Sequence, residues 1–232
     1  MEQLLPEQMG ALFTSGWDGP FDGLSLTRED IARLGHRLFP WRITSDNPWW
    51  SRPLKLGEVG CSLAHLACWK DAETAGSEPY VLVLEDDAVI GEDFLARLVE
   101  GLEKLETADI PFNLLYLGRV PLRPDVPSSV EGFVVPGYSH CTYGYLLTRS
   151  GLKHVLDARL GDAVVPVDEF LPALYTDHER LDVRARFPRR VNALAFEPPL
   201  VTQLPKDVAG SDTEASPFVD EEAPTWSALG DS

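Results

Sequence analysis

The chain has 232 residues, of which 44% are hydrophobic and 25% are charged. This length and composition predict a single well-buried domain rather than an unstructured chain. No stretch reaches the roughly 18 consecutive apolar residues that a membrane-spanning helix needs. The first residues also lack the basic start and apolar segment of a secretory signal. We therefore expect a cytoplasmic protein without a membrane span.

The charge balance limits the possible partners. Aspartate and glutamate total 37 against 20 lysine and arginine residues, giving a net charge of −17. Because duplex nucleic acid binds mainly through Lys and Arg, a nucleic-acid partner is not expected. Arginines cluster between 180 and 190, and the simplest interpretation is a solvated surface. The three cysteines are too few for a disulfide framework, which agrees with a reducing compartment.

Local signals in the first half of the chain predict two helices and a strand. Thr27 can cap a helix with acidic residues in its first turn, which predicts a short helix that runs to about Leu34, ahead of Gly35. Apolar residues at spacings of three and four predict a helix over 57–75. The apolar run 80–84 predicts a central strand that is covered on both faces. The tryptophan-rich loop 40–53 either packs onto the domain or lines a sugar site, and packing is favoured.

Strand and helix signals alternate along the rest of the chain. This alternation predicts an α/β domain with a central, mostly parallel sheet flanked by helices. Residues 206–232 are rich in acids, Gly, Ser and Pro, so we expect a domain over 1–205 and a loosely ordered acidic tail. Helices are predicted over 94–105, 149–158 and around 170, and extended segments over 114–118, 132–135, 143–148 and 193–201.

Three carboxylates follow the apolar run 80–84 directly: Glu85, Asp86 and Asp87. Ionised carboxylates that leave water need a cation or hydrogen bonds. Ligands of open α/β sheets bind beyond the carboxyl ends of the strands. Hard oxygen donors of this kind suit Mg²⁺ or Mn²⁺, with phosphates and water as the remaining ligands. Asp86 and Asp87 are therefore predicted to bind a metal, and the alternative is that the three acids cap the following turn.

Several ordered motifs surround these acids. They are residues 56–65 (LGEVGCSLAH), 83–87 (VLEDD), 113–118 (NLLYLG), 138–145, 166–172 (PVDEFLP), 195–200 (AFEPPL) and 211–214 (SDTE). Together they resemble glycosyltransferase family 25, which includes lipooligosaccharide galactosyltransferases and collagen hydroxylysine galactosyltransferases. The resemblance extends over about residues 11–215 and involves several motifs in the same order, so it is more specific than any one motif.

The resemblance implies a GT-A-like fold and an inverting transfer of a hexose, with galactose expected, from a UDP-sugar to an acceptor hydroxyl. It also implies Mn²⁺ or Mg²⁺, with Asp86 and Asp87 at the metal and diphosphate and Glu85 beside them. In an inverting transfer a carboxylate base takes the proton of the acceptor hydroxyl. Asp168 and Glu169 are the candidate bases, and the alternative is that they cap the following helix.

The same resemblance assigns donor contacts to Glu58, His65 and Glu197. Glu58 and His65 lie seven residues apart and share one face of the predicted helix. A satisfied core histidine is the alternative for His65. Cys61, His65 and Cys68 share this face, but a zinc site built from these three would lack a fourth ligand and a Cys-x-x-Cys pair. Buried cysteines that pack against the sheet are therefore favoured over a zinc site.

The sequence departs from the family pattern at its start. Ala11, Leu12 and Phe13 resemble the second strand of the family, so we expect a sheet without the usual first strand, because the start is incomplete or the protein dispenses with it. This departure motivates an alternative, a catalytically lapsed carbohydrate- or nucleotide-binding module. A metal-dependent phosphohydrolase or nuclease is disfavoured, because the Asp/His pairs of a two-metal centre are missing. His178, the last histidine, lies between acids and indicates solvated surface.

Overall fold

A computed structural model describes residues 21–205, Gly210 and residues 212–219. This part of the chain is mixed α/β. The helices are α1 (Arg28–Arg33), α2 (Leu56–Ala75), α3 (Phe94–Thr107), α4 (Arg149–Asp157), α5 (Val167–Tyr175), α6 (Leu181–Arg186) and α7 (Asp212–Ala215), with a 3₁₀-helix at Leu160–Asp162. The strands are β1 (Tyr80–Leu84), β2 (Ala88–Ile90), β3 (Leu114–Pro121), β4 (Val126–Pro127), β5 (Phe133–Val135), β6 (Ser139–Thr148), β7 (Ala193–Phe196) and β8 (Val201–Gln203).

The main sheet is mostly antiparallel. Its strand order is β1-β6-β3-β7-β5-β4, and β2 pairs separately with β8. Among the described strands, β3 and β7 are parallel neighbours, whereas every other pair is antiparallel. The predicted mostly parallel sheet is therefore wrong. The physical reason is that an apolar run predicts a buried strand without giving its direction, and β6 lies between β1 and β3 and runs against both.

Three strands nevertheless point the same way. Because β6 is antiparallel to both β1 and β3, and β7 is parallel to β3, the carboxyl ends of β1, β3 and β7 lie at the same end of the sheet. The start of β6 lies at this end too, where the backbone N–H of Glu85 donates to the carbonyl of Tyr143. The acids that follow β1 therefore lie next to the first residues of β6.

Both faces of the sheet are covered by apolar side chains. Val83 and Tyr116 belong to the larger core, which includes residues of α2, α4 and α5. Leu115 and Leu117 belong to the smaller core, which includes residues of α3. The side chains of the apolar run of β3 are therefore buried on both faces. Those of β1 also contact both cores, but only Val83 is buried. Among the described strands β1 pairs with β6 alone, so its predicted central position in the sheet is wrong.

The sequence predicts the helices more accurately than it predicts the directions of the strands in the sheet. The Thr27 hydroxyl accepts the N–H of Asp30, and the Asp30 carboxylate accepts the N–H of Thr27, so α1 begins with a capping box. Helix α2 ends just before Gly76, as predicted. The sequence did not predict β2 or α6, because segments of three and six residues carry too little periodic pattern.

Residues 212–219 pack against the start of α2. The Ser216 hydroxyl accepts the N–H of Gly57 at 2.8 Å, and the Pro217 carbonyl accepts the N–H of Leu56 at 2.9 Å. These bonds satisfy N–H groups that the first turn of a helix leaves without partners. The division at residue 205 stays a prediction, and the predicted strand at Ala11 lies outside the described residues. Across the residues that the structure covers, every helix is too short or too polar to span a bilayer.

Replacing Leu115 by Ala is expected to destabilise the fold. The Leu115 side chain is fully buried in β3, so the variant loses buried apolar area and leaves a cavity. We expect the free energy of unfolding to fall by about 2–5 kcal/mol, measured by urea denaturation. Leu122→Ala is the matched control, because Leu122 is 50% exposed and should change stability by less than about 0.5 kcal/mol. Equal losses in the two variants would contradict this account of the core.

Candidate functional site

Glu85 is held by two side-chain donors at the end of β1. The Thr142 hydroxyl donates to Glu85 Oε1 at 2.7 Å, and His65 Nε2 lies 3.3 Å from the same oxygen. Burial alone would raise the pKa of Glu85, but the hydrogen bonds from His65 and Thr142 outweigh it, so the pKa is lowered. Because an ionised carboxylate only accepts, His65 Nε2 carries the hydrogen in this arrangement.

His65 is itself fixed by a buried hydrogen-bond chain. The Trp69 Nε1–H donates to the Tyr145 hydroxyl at 2.8 Å, and that hydroxyl lies 2.8 Å from His65 Nδ1. With the hydrogen of His65 on Nε2, the Tyr145 hydroxyl donates to Nδ1. All three side chains are at least 95% buried. The interpretation of His65 as a satisfied core histidine is thus compatible with its contact to Glu85, since one nitrogen faces the core and the other faces the acid.

Asp86 and Asp87 differ in their surroundings. Asp86 is exposed. Asp87 Oδ2 accepts a hydrogen bond from Gln203 Nε2 at 2.9 Å, but Asp87 Oδ1 is buried without a hydrogen-bond partner in the described part of the chain. Burial, and then the charge of Glu85, raise the pKa of Asp87, and Asp86 adds to this. A buried anionic oxygen without a donor, beside two further carboxylates, is the arrangement that a cation would stabilise.

Asp168 belongs to the same electrostatic cluster. It occupies the first turn of α5, yet the backbone N–H that its carboxylate accepts comes from Cys141 of β6. Asp168 Oδ1 is buried and has no hydrogen-bond partner among the described residues. Burial, and then the charge of Glu85, raise the pKa of Asp168. Its side chain is therefore directed towards β6 and the carboxylates rather than used to cap its own helix.

Glu169 has the opposite surroundings. It accepts hydrogen bonds from the Tyr138 hydroxyl, from His178 Nε2 at 2.6 Å and from Trp50 Nε1 at 3.4 Å. His140 Nε2 lies 3.6 Å from its Oε1. Burial would raise the pKa of Glu169, but the hydrogen bonds from His140, His178 and Tyr138 outweigh it, so the pKa is lowered. Both oxygens of Glu169 are thus occupied.

The backbone of β6 is strained at the point where it meets Asp168. Cys141 has a positive φ of 63°, which an L-residue with a side chain adopts at some cost. The pairing of β3 with β6 shifts register between Gly118 and Val120, opposite this residue. This bulge turns the Cys141 N–H towards Asp168. It also leaves Thr142 facing Glu85, so one irregular strand contacts two of the acids.

Glu58 and Glu197 are not brought into the cluster. Glu58 pairs with the Arg52 guanidinium through both oxygens, at 2.5 and 2.9 Å, and also accepts the N–H of Lys55 at the start of α2. Glu197 is exposed at the end of β7, where its backbone N–H donates to the carbonyl of Gly132. Among the described residues no hydrogen bond joins either side chain to Glu85, Asp87 or Asp168. Their predicted donor contacts stay predictions.

Comparison with known proteins identifies the family. Residues 41–120 match the model of glycosyltransferase family 25, described as an LPS biosynthesis protein. The chain is 33% identical over 234 residues to the probable inactive glycosyltransferase 25 family member 3 of Bos taurus, which aligns with 93% of this chain. It is 36% identical over 204 residues to procollagen galactosyltransferase 1-A of Xenopus laevis, which aligns with 84% of this chain. The chain belongs to glycosyltransferase family 25.

The family-25 relatives are much longer than the matched region. The chain spans 38% of the bovine protein and 32% of the Xenopus protein. It also spans 34% of the inactive glycosyltransferase 25 family member 3 of Homo sapiens, to which it is 36% identical over 210 residues. This family-25 chain therefore corresponds to about a third of each of these proteins.

The sequence pattern does not predict the burial of several polar residues in this family-25 chain. His178 is 2% exposed and contacts Glu169, so its interpretation as solvated surface is wrong. Arg180 is also buried: its guanidinium donates to the Trp41 carbonyl at 2.5 Å and stacks 4.4 Å from the Trp41 ring. The motif 138–145 was the one signal for Thr142 and Tyr145, and nothing local singled out His178 or Arg180. A charged or polar residue type does not reveal burial when its partners lie far away in sequence.

Glu169→Gln is expected to destabilise the protein in a pH-dependent way. The folded state lowers the pKa of Glu169, so its contribution is present above the unfolded pKa of about 4.3 and is lost as the pH falls towards the folded value. At pH 7 we expect the variant to lose about 1.5–3 kcal/mol. Below about pH 4 the difference from the native protein should shrink, measured by urea denaturation at each pH.

Glu103→Gln is the control for this experiment, because Glu103 is exposed on α3. It should leave the free energy of unfolding within about 0.5 kcal/mol at every pH. A stability difference for Glu169→Gln that stays constant, or grows, on acidification contradicts the role assigned to the carboxylate.

Proposed function

We propose that this chain is the donor-binding part of an inverting, metal-dependent glycosyltransferase that moves a hexose from a UDP-sugar to an acceptor hydroxyl. The observation that carries the proposal is the buried Asp87 Oδ1, which has no hydrogen-bond partner among residues 21–205, 210 and 212–219 and lies beside Glu85 and Asp86. Membership of a family that includes procollagen galactosyltransferases supports galactose as the hexose. A GT-A-like organisation is part of the same proposal.

The residues at the end of β1 fit a divalent cation. Asp86 and Asp87 offer hard carboxylate oxygens, one exposed and one buried without a donor. Mn²⁺ or Mg²⁺ takes such ligands together with phosphate oxygens and water. When bound, the cation neutralises charge that develops on the leaving diphosphate. Glu85 stays ionised through His65 and Thr142, so it adds negative charge that favours the cation.

Asp168 is the stronger candidate for the base that accepts the proton of the acceptor hydroxyl. A base needs a free lone pair and a pKa not far below the working pH. Asp168 Oδ1 has no partner, and the pKa of Asp168 is raised by burial and by Glu85. Glu169 has neither property, because four donors surround it and its pKa is lowered. We therefore assign Glu169 to fixing α5 against Tyr138 and His178, and Asp168 to the proton transfer.

The remaining assignments concern the substrates. Glu58, His65 and Glu197 are proposed to contact the donor. His65 acts indirectly, by positioning the carboxylate of Glu85. The acceptor is a hydroxyl on a glycan or on a protein side chain. The family description refers to LPS biosynthesis, whereas one relative is named a procollagen galactosyltransferase. The strongly negative net charge of −17 disfavours a nucleic-acid acceptor.

A catalytically lapsed binding module is the second candidate function. Two relatives that align with most of this chain carry the word inactive in their names. A lapsed module would bind the donor without transferring the sugar. Donor binding and sugar transfer must therefore be measured separately.

The double variant Asp86→Asn/Asp87→Asn is expected to abolish Mn²⁺-dependent binding of UDP. It removes the two carboxylates that are proposed to hold the cation, so the diphosphate loses its bridge to the protein. Isothermal titration of UDP with and without Mn²⁺ measures the effect. Asp71→Asn, an exposed residue of α2, is the control and should bind like the native protein. UDP affinity that is the same in the double variant and in the native protein contradicts the proposed metal site.

Asp168→Asn is expected to lower kcat for sugar transfer on the order of 10²–10⁴-fold, because the amide cannot take the acceptor proton. UDP affinity in the presence of Mn²⁺ should stay unchanged. Asp157→Asn, a surface residue of α4 paired with Lys153, is the control for kcat. A parallel loss of UDP affinity would instead make Asp168 a metal ligand. If the native chain binds UDP with Mn²⁺ but transfers no sugar to any hydroxyl acceptor tried, the lapsed module is the correct function.

A further inference from the structure

A second set of metal-ligand side chains lies beside the acids that follow β1. The ligand atoms of Cys61, His65 and Glu85 all lie within 4.8 Å of one another. The sequence placed Cys61 and His65 on one helix face with Cys68 and without a fourth ligand. In the structure the third ligand is not Cys68 but the carboxylate of Glu85 at the end of β1. The three ligands therefore come from two elements that the fold brings together.

The chemistry of this set differs from that of Asp86 and Asp87. A thiolate, an imidazole and one carboxylate are the ligands that Zn²⁺ takes in tetrahedral sites, whereas Mg²⁺ and Mn²⁺ prefer oxygen. The distance of 3.3 Å between His65 Nε2 and Glu85 Oε1 is close to the separation of two tetrahedral ligands that each lie about 2.0 Å from zinc. The geometry between these two atoms therefore needs little change to accept the ion.

The surroundings supply the outer hydrogen bonds that zinc ligands normally have. His65 Nδ1 lies 2.8 Å from the Tyr145 hydroxyl. That oxygen has two lone pairs, so it can accept both the Trp69 N–H and a hydrogen on Nδ1. Thr142 donates to Glu85 Oε1, which orients the carboxylate. Burial, and then the charge of Glu85, raise the pKa of the Cys61 thiol, and Asp168 adds to this, so the thiol keeps its proton until a cation binds.

We propose that Cys61, His65 and Glu85 form a binding site for Zn²⁺, with the fourth position open to water. Binding replaces the hydrogen between His65 and Glu85 by the ion. The Cys61 thiol loses its proton to solvent and becomes a thiolate ligand. The imidazole stays neutral, because its hydrogen moves from Nε2 to Nδ1. The site shares Glu85 with the acidic cluster but uses neither Asp86 nor Asp87.

Substitution by Co²⁺ tests the proposal, because a cobalt–thiolate bond gives a charge-transfer band that oxygen ligands do not give. The native chain should show this band on titration with Co²⁺ and lose it when Zn²⁺ is added. Cys61→Ser should lack the band. Cys68→Ser, which changes another partly buried cysteine of the same helix, should retain it. Asp87→Asn should retain it as well, which separates this site from the proposed donor metal site.

Glu85→Gln provides a second variant, and its Co²⁺ affinity should fall at least tenfold while the band remains detectable at high Co²⁺. Near-ultraviolet circular dichroism, to which buried aromatic side chains such as Trp69 and Tyr145 contribute, shows whether each variant keeps its fold. The proposal is overturned if the native chain gives no band, or if the band survives in Cys61→Ser. Loss of the band in a folded Cys68→Ser variant also overturns it, since the thiolate ligand would then be a different residue.

Discussion

The site depends on how the protein stabilises one buried carboxylate at the end of β1. Glu85 follows an apolar strand, and an ionised group there needs donors. Helix α2 supplies His65, and β6 supplies Thr142. Because His65 is fixed by Tyr145 of β6, α2 and the sheet cannot shift against each other without leaving polar atoms unpaired. The same bonds that keep Glu85 ionised therefore also fix the packing of the helix on the sheet.

Two neighbouring acids of α5 have different surroundings, because one has both oxygens hydrogen-bonded and the other has one oxygen unpaired. Asp168 and Glu169 are adjacent in sequence, yet successive helix residues point about 100° apart, so they have different partners. Glu169 is surrounded by donors from the tryptophan-rich loop, from Tyr138 just before β6 and from the segment before α6. Asp168 meets β6 at the strained Cys141 and keeps one oxygen unpaired. A saturated carboxylate stabilises the fold, whereas an unsaturated one is available to a ligand or a proton.

The sequence predicted local features well and long-range ones poorly. The capping box at Thr27 and the end of α2 at Gly76 depend on residues within one or two turns, so they are visible in the sequence. The apolar run before Glu85 predicted a strand that is covered on both faces, and β1 packs against both cores. Its edge position and the antiparallel β6 depend on pairing between residues about 60 positions apart, which no local pattern encodes. For the same reason the sequence does not show that Glu169 is surrounded by donors, of which Trp50 lies 119 positions away.

The unpaired oxygens also bear on whether the site still works. A buried carboxylate oxygen without a donor lowers stability by about 1–3 kcal/mol, and a sequence that no longer needs it is free to lose it by mutation. Asp87 Oδ1 and Asp168 Oδ1 are both unpaired. Asp87 would be retained by a module that only binds a metal and a diphosphate. The role proposed for Asp168 is the transfer of a proton and not the binding of the diphosphate, so on that proposal its unpaired oxygen is the feature that a lapsed module would lose.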